Sequence, residues 1–379
     1  MKKIFWPAAF FTLLFFACNQ PAKKTGSGDW TLGPFTKVDS VNPILRVLPT
    51  EWNDPILKKK VAWEGRYVYN PAAVVKDDKI YLLYRAEDTL PRYAGTSRIG
   101  LAWSTDGLHF TRKKEPVLFP DNDEFKDAEW EGGIEDPRVV EDEKGTYFMN
   151  YTAYDGKTAR LFVASSTDLE HWKKHGSVFQ KFENGKYAKV WSKSGSVICE
   201  KKGDQLVAAK IKGKYWMYWG ESNIYLASSD NLIDWEPVIE TDESKREQDT
   251  LRNYRDFRPV FKPRPGKFDS YLCEPGPPAV ITDQGIVFIY NSRNNGQKGD
   301  TKLPEGTYAA GQVLLDKNDP MKVLDRTETY FMKPDKPYEI TGQVNNVCFL
   351  EGLASYKGKW FLYYGTADEQ IAVAVADQK

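Results

Sequence analysis

The chain has 379 residues, 41% of them hydrophobic and 14% aromatic, which is enough apolar surface to bury a large core and too much for a disordered segment. Its 53 Lys and Arg balance its 53 Asp and Glu, so there is no net field to draw in nucleic acid or an anionic membrane. A neutral partner fits this balance. Sugars are one such class, since their flat faces lie on aromatic rings and their hydroxyls take carboxylates and arginines, although aromatics more often fill β cores.

Lys2 and Lys3 precede an apolar run from Ile4 to Ala17. The run is too short to span a bilayer comfortably but fits the apolar region of a signal peptide. It ends Leu14-Phe15-Phe16-Ala17-Cys18, which resembles bacterial lipoprotein signals. That resemblance implies a signal over residues 1–18, lipidation at Cys18 and a polar tether over 19–34. Membrane contact would then come only through the lipid, on a periplasmic or outer-membrane lipoprotein. The competing reading is an uncleaved anchor with an incidental cysteine, and it too exports the chain. Cys199, Cys273 and Cys348 are odd in number, far apart and without metal-ligand spacing, so they read as small core residues.

From Ala72 onward the chain alternates short apolar runs with turn residues. Five pairs of strands are expected: Ala72 to Val75 with Ile80 to Arg85, Arg138 to Glu141 with Thr146 to Tyr151, Ser196 to Cys199 with Leu206 to Ile211, Ala279 to Thr282 with Gly285 to Tyr290, and Gly352 to Tyr356 with Lys359 to Tyr364. Three of the five units continue into one recurring phrase: Trp103-Ser104-Thr105-Asp106-Gly107-Leu108-His109-Phe110, Ser165-Ser166-Thr167-Asp168-Leu169-Glu170-His171-Trp172, and Ser228-Ser229-Asp230-Asn231-Leu232-Ile233-Asp234-Trp235. Each copy follows an apolar strand, supplies Ser/Asp turn chemistry and closes on an aromatic. Five such meanders predict an all-β fold, a five-bladed β-propeller occupying residues 35–379 as one domain, since radial sheets leave only short protected edges. The last unit ends close to Lys379, so the segment Phe35 to Leu48 is expected to supply its outer strand. Pro and Gly interrupt most helical windows, and Asp242 to Leu251 is the best helix candidate, or else a loop.

Residues that open a propeller unit face its central funnel, so polar entries are the natural site candidates. The second unit opens Glu131-Gly132-Gly133-Ile134-Glu135-Asp136-Pro137-Arg138, where glycines permit close backbone approach and Pro137 fixes the exit from Asp136. The fourth opens Glu274-Pro275-Gly276-Pro277-Pro278, the third unit's strands end at Trp219-Gly220-Glu221-Ser222, and the fifth runs Tyr364-Gly365-Thr366-Ala367-Asp368. Carboxylates from different units can therefore converge. Glycoside cleavage needs one carboxyl to protonate the leaving oxygen and, with inversion, a second to activate a nucleophile on the opposite face. For an arbitrary acid among so many, turn capping or pairing with arginine is the better reading. His109, His171 and His175 belong to the repeated turns or their edge and read as packing residues.

Asn70-Pro71-Ala72-Ala73, Tyr84-Arg85-Ala86-Glu87-Asp88, Ser97-Arg98-Ile99-Gly100, Gly133-Ile134-Glu135-Asp136-Pro137-Arg138, Tyr151-Thr152-Ala153-Tyr154 and Tyr364-Gly365-Thr366-Ala367-Asp368 together resemble the signatures of glycoside hydrolase family 130. The resemblance implies a five-bladed propeller that cleaves β-mannosides with inversion. It implies Asp136 as proton donor, directly or through a sugar hydroxyl, and Asn70, Arg85, Asp88, Arg98, Arg138, Lys193 and Asp368 as residues around the substrate.

The family divides into phosphorylases and hydrolases. Phosphate as nucleophile needs a basic cradle, whereas water needs a base. Phosphorylases of the family carry a basic stretch after the turn that corresponds to Gly213-Lys214-Tyr215. Here Trp216-Met217-Tyr218-Trp219-Gly220-Glu221 follows, so Glu221 and Glu274 are the candidates to activate water and the chain is similar to the β-1,2-mannoside hydrolases. The sequence does not rank these two. Lys193 stands where phosphorylases use lysine, which keeps release of mannose 1-phosphate as the alternative. A sugar-binding lipoprotein without turnover and a propeller furanosidase are the other readings. No cofactor is called for. A calcium ion in the funnel, oligomeric state and chain-length preference are left undetermined.

Overall fold

The computed structural model describes Met1, residues 30–90 and residues 95–378. Residues 2–18 of the expected signal, Cys18 included, and most of the expected tether lie outside the described residues. The fold is all-β: among the described residues the α-helices are single turns, Lys126–Glu129 and Pro337–Ile340.

Five antiparallel meanders follow one another. The first comprises Tyr67–Lys76, Lys79–Glu87, Ser97–Ser104 and Thr111–Arg112, and the second Gly133–Glu141, Tyr147–Tyr154, Ala159–Ser166 and Lys173–Ser177. The third pairs Gly195–Lys202 with Lys214–Trp219, Ile224–Ser229 and Trp235–Pro237. In the fourth, Leu272–Pro275 and Ala279–Thr282 both pair with Gly285–Arg293, which continues to Tyr308–Asp316 and Asp319–Arg326. The fifth runs Cys348–Tyr356, Lys359–Thr366 and Gln370–Asp377, and its outer strand is Thr36–Lys37, registered against Val375 and Ala374. The expectation that the segment after Phe35 completes the last sheet is met, with Leu45 also bridged to Ile371.

The apolar cores lie between successive sheets. Val140, Leu161 and Val163 of the second meet Val197, Met217 and Trp219 of the third, while Tyr356, Phe361 and Tyr363 of the fifth meet Val75, Ile80 and Leu82 of the first. Cys199, Cys273 and Cys348 are free and buried, as expected of core residues. The recurring phrase is a turn in which Ser104 Oγ accepts from Gly107 N at 2.9 Å and Asp106 Oδ1 accepts from Leu108 N and His109 N at 2.8 and 2.9 Å. Ser166 with Asp168, and Ser229 with Asn231, repeat it.

Two segments depart from expectation. Within Asp242 to Leu251 only Glu243–Lys245 is helical, as a single 3₁₀ turn, because Asp242 accepts from Ser244 N and no apolar stripe extends the turn. The end of the expected tether is bound rather than free: Trp30 Nε1 donates to Asp325 Oδ2 at 2.9 Å, and Leu32 N donates to Gln312 Oε1 at 2.9 Å.

Candidate active site

The first strands of three sheets share one irregularity. Pairing slips between Tyr69 and Pro71 in the first sheet, between Glu135 and Arg138 in the second and between Leu350 and Gly352 in the fifth. Proline has no N–H for the ladder, and Asn and Asp tolerate the left-handed region, so Asn70 and Asp136 bulge at φ 49° in both cases. Each bulge aims a polar side chain out of the ladder. The approach to Asp136 depends on Gly133 at φ 110°, where an added Cβ would stand 2.3 Å from Ser97 O.

Asp136 is 3% exposed. Its Oδ1 accepts from Asn70 Nδ2 at 2.9 Å and Arg85 Nη1 at 3.1 Å, and Lys193 Nζ lies 3.2 Å from Oδ2. Burial alone would raise its pKa, but Lys193, Arg85, Asn70 and Arg138 together hold the carboxyl well below the usual range. Asp136 is therefore an anion in the ligand-free site. Arg85 also binds Glu87 and Glu135 through Nη2 at 2.8 and 2.9 Å, and its Nε donates to Ser97 Oγ at 3.0 Å.

Lys193 is the centre of the group. Burial would lower its pKa, yet Asp136, Glu135, Glu221 and Glu274 keep the ammonium protonated. Glu274, 4% exposed, accepts from Ser194 Oγ. Burial first and Glu221 second push it up to about 7 against Lys193 and Arg138. Glu221 accepts from Trp191 Nε1 at 2.6 Å and is paired with Arg252 Nη2 at 2.7 Å, the guanidinium lying 4.8 Å from the Trp191 ring centroid. Asp368, at φ 55° beside the first-sheet bulge, is also raised to about 7, by burial and by the charge of Asp136 against Arg85.

The structure thus brings Asp136, Glu221 and Glu274 around Lys193, with Asn70, Arg85 and Asp368 on the Asp136 side. Arg98 and Asp88 pair instead with one another at 2.8 Å and, through Arg98, with Asp54 at 2.5 Å. Both are 0% exposed, so neither has a surface for a ligand. Arg138 is turned to the main-chain carbonyls of Asp136, Pro275 and Gly276. Residues that motif reading passed over include Glu135, Ser194, Trp191 and Arg252. Tyr308 is another, its hydroxyl pushed up by burial and by Glu274 and Glu221. Arg252 and Trp191 carry no local pattern, because Trp191 precedes the third sheet and Arg252 follows it, and both meet Glu221 only in the folded chain. Among the described residues no group of three or more His, Cys, Asp and Glu is arranged to hold a metal ion.

The family model described as beta-1,4-mannooligosaccharide phosphorylase, that of glycoside hydrolase family 130, matches residues 35–379, and the chain belongs to this family. A 1,2-beta-oligomannan phosphorylase from Thermoanaerobacter sp. (strain X514) is 30% identical, over 86% of this chain and 95% of its own length. A protein of Bacteroides ovatus ATCC 8483, named provisionally as a glycoside hydrolase, is 49% identical with a TM-score of 0.86, covering 92% of this chain and 98% of its own. Another solved structure is 41% identical with a TM-score of 0.87, covering 93% and 98%. It is described with family members that are glycoside hydrolases targeting β-1,2-mannosidic linkages in Candida mannan.

Proposed function

We propose that the chain is an inverting β-mannoside hydrolase with a preference for β-1,2 linkages, built as a five-bladed propeller. The succession of cores between neighbouring sheets, returning from the fifth to the first, supports the propeller. In the reaction, water attacks the anomeric carbon as the bond to the leaving oxygen breaks. One of Glu221 and Glu274 takes a proton from the attacking water, and Asp136 supplies one to the leaving oxygen, directly or through a substrate hydroxyl. Asp136 must first gain that proton. That proton comes from solvent, and burial, the largest single influence on the group, favours it against Lys193, Arg85, Asn70 and Arg138.

The observation that carries water over phosphate is the commitment of the cations. Lys193, Arg85 and Arg252 each already face a carboxylate and Arg138 is turned to main-chain carbonyls, and Glu221 with Glu274 would repel a dianion. Lys193 is also what favours the second reading, since the named relative from Thermoanaerobacter is a phosphorylase and a lysine is a natural phosphate ligand. The purified protein, given β-1,2-mannobiose, is expected to release mannose at the same rate with and without phosphate. Mannose 1-phosphate formed only when phosphate is supplied would establish the second reading instead.

A further inference from the structure

Arg138 lies at the base of the acidic group and is 1% exposed. Its Nε donates to Gly276 O at 3.0 Å, Nη1 to Asp136 O at 3.1 Å and Nη2 to Pro275 O at 2.7 Å. One planar guanidinium therefore grips the main chain at Asp136 in the second sheet and the two residues following Glu274 in the fourth. A third sheet reaches it as well. Glu351 occupies the fifth-sheet bulge, is 0% exposed, and brings Oε1 to 3.1 Å from Arg138 Nη2. That approach is out of line, and neither carboxyl oxygen of Glu351 accepts a hydrogen bond. Asn291 fixes the bulge from the fourth sheet, donating to Leu350 O at 2.9 Å and accepting from Leu350 N at 2.8 Å.

We infer that Glu351 is a positioning residue, which orients Arg138 so that the guanidinium sets the separation of Asp136 and Glu274. The inference rests on the reading of those two carboxylates as catalytic. A buried carboxyl without a hydrogen bond is costly to keep, and a hydrophobic residue of similar size would fill the space at less cost. What a hydrophobic residue cannot do is place an oxygen 3.1 Å from Nη2 and so restrict where the guanidinium settles. Arg138 in turn is one of few groups able to satisfy carbonyls from two sheets at once, because its donors form a rigid fork. The separation of the two carboxylates matters for inversion, which requires room for a nucleophile between them. Displacement on the order of 1 Å is enough to cost about 10²-fold in rate.

The test compares Glu351→Ala, Glu351→Gln and Arg138→Lys with the parent in kcat, KM and thermal midpoint. Glu351→Ala and Arg138→Lys are expected to lose about 10²-fold in kcat with KM within about threefold. Glu351→Gln, which retains an oxygen facing the guanidinium, is expected to recover most of the activity. A folded Glu351→Ala with kcat near the parent value overturns the inference. Should Glu351→Ala not fold, Arg138→Lys decides alone, and an unchanged kcat there has the same force. Asp136→Asn and Glu274→Gln run alongside: full activity in both removes the underlying reading, whereas their inactivity beside an active Glu351→Ala removes only the role of Glu351.

Discussion

Glu274 and Glu221 are two carboxyls treated differently by their surroundings. Glu221 has an arginine and an indole N–H, whereas Glu274 has a serine hydroxyl and burial, and it is pushed up to about 7. On the proposed mechanism turnover needs Glu274 ionised and Asp136 protonated, the reverse of the resting arrangement, so kcat/KM is expected to be level below about 7 and to fall above it, where the site loses its one proton. After burial, Glu221 is the second cause of the raised pKa of Glu274. Glu221→Gln removes a negative charge, lowers the pKa of Glu274 and moves the fall to lower pH, besides lowering the rate. A pH profile of kcat/KM for parent and variant checks both, and a fall that stays in place would separate Glu274 from the rate-limiting proton transfer.

At the level of the element, the inner strands work because they are interrupted. A regular strand would alternate side chains across the sheet, whereas the bulges at Asn70, Asp136 and Glu351 turn successive polar groups to one place. Gly133 serves this twice, through its φ of 110° and through the closeness of Ser97. Gly133→Ala is expected to lower the unfolding free energy by about 3 kcal/mol, conformational strain and overlap adding. Gly213, at φ 85° with nothing within 4 Å of an added Cβ, isolates the first contribution, and Gly213→Ala should cost only about 1 kcal/mol. Urea unfolding of the two variants measures the difference, and equal losses would show that Ser97 yields.

For the whole molecule, burial of acids among packed sheets has a consequence for pH. Glu129, Glu274 and Asp368 are all raised to about 7, burial being the first cause in each. The folded protein then binds more protons than the unfolded chain between the ordinary carboxyl value of about 4.5 and about 7, so stability falls as pH rises through that window. Asp106, Asp136 and Asp168 are shifted the opposite way and withdraw stability only in more acid solution. Thermal midpoints are expected to be higher near pH 5 than near pH 8, and the reverse order would mean that these acids are not buried as described.

Much of this was legible in the chain because it is written locally. The alternation of strands, the three Ser/Asp turns, the closing strand after Phe35 and the motif around Asp136 all depend on neighbours in sequence. Glu351 shows where local reading stops. It opens the fifth unit as Asn70-Pro71, Asp136-Pro137 and Glu274-Pro275 open theirs, a polar residue before a turn former, yet Glu351-Gly352 has no chemistry of its own until Arg138 arrives from another sheet. Arg98 and Asp88 make the converse point, since a motif places them beside Arg85 in sequence and packing seals them with Asp54. Sequence by itself determined which residues can bend, pair and carry charge. Tertiary structure alone decided which charges meet, because burial and the approach of distant sheets, not local spacing, set both the separation of the carboxylates and their hold on a proton.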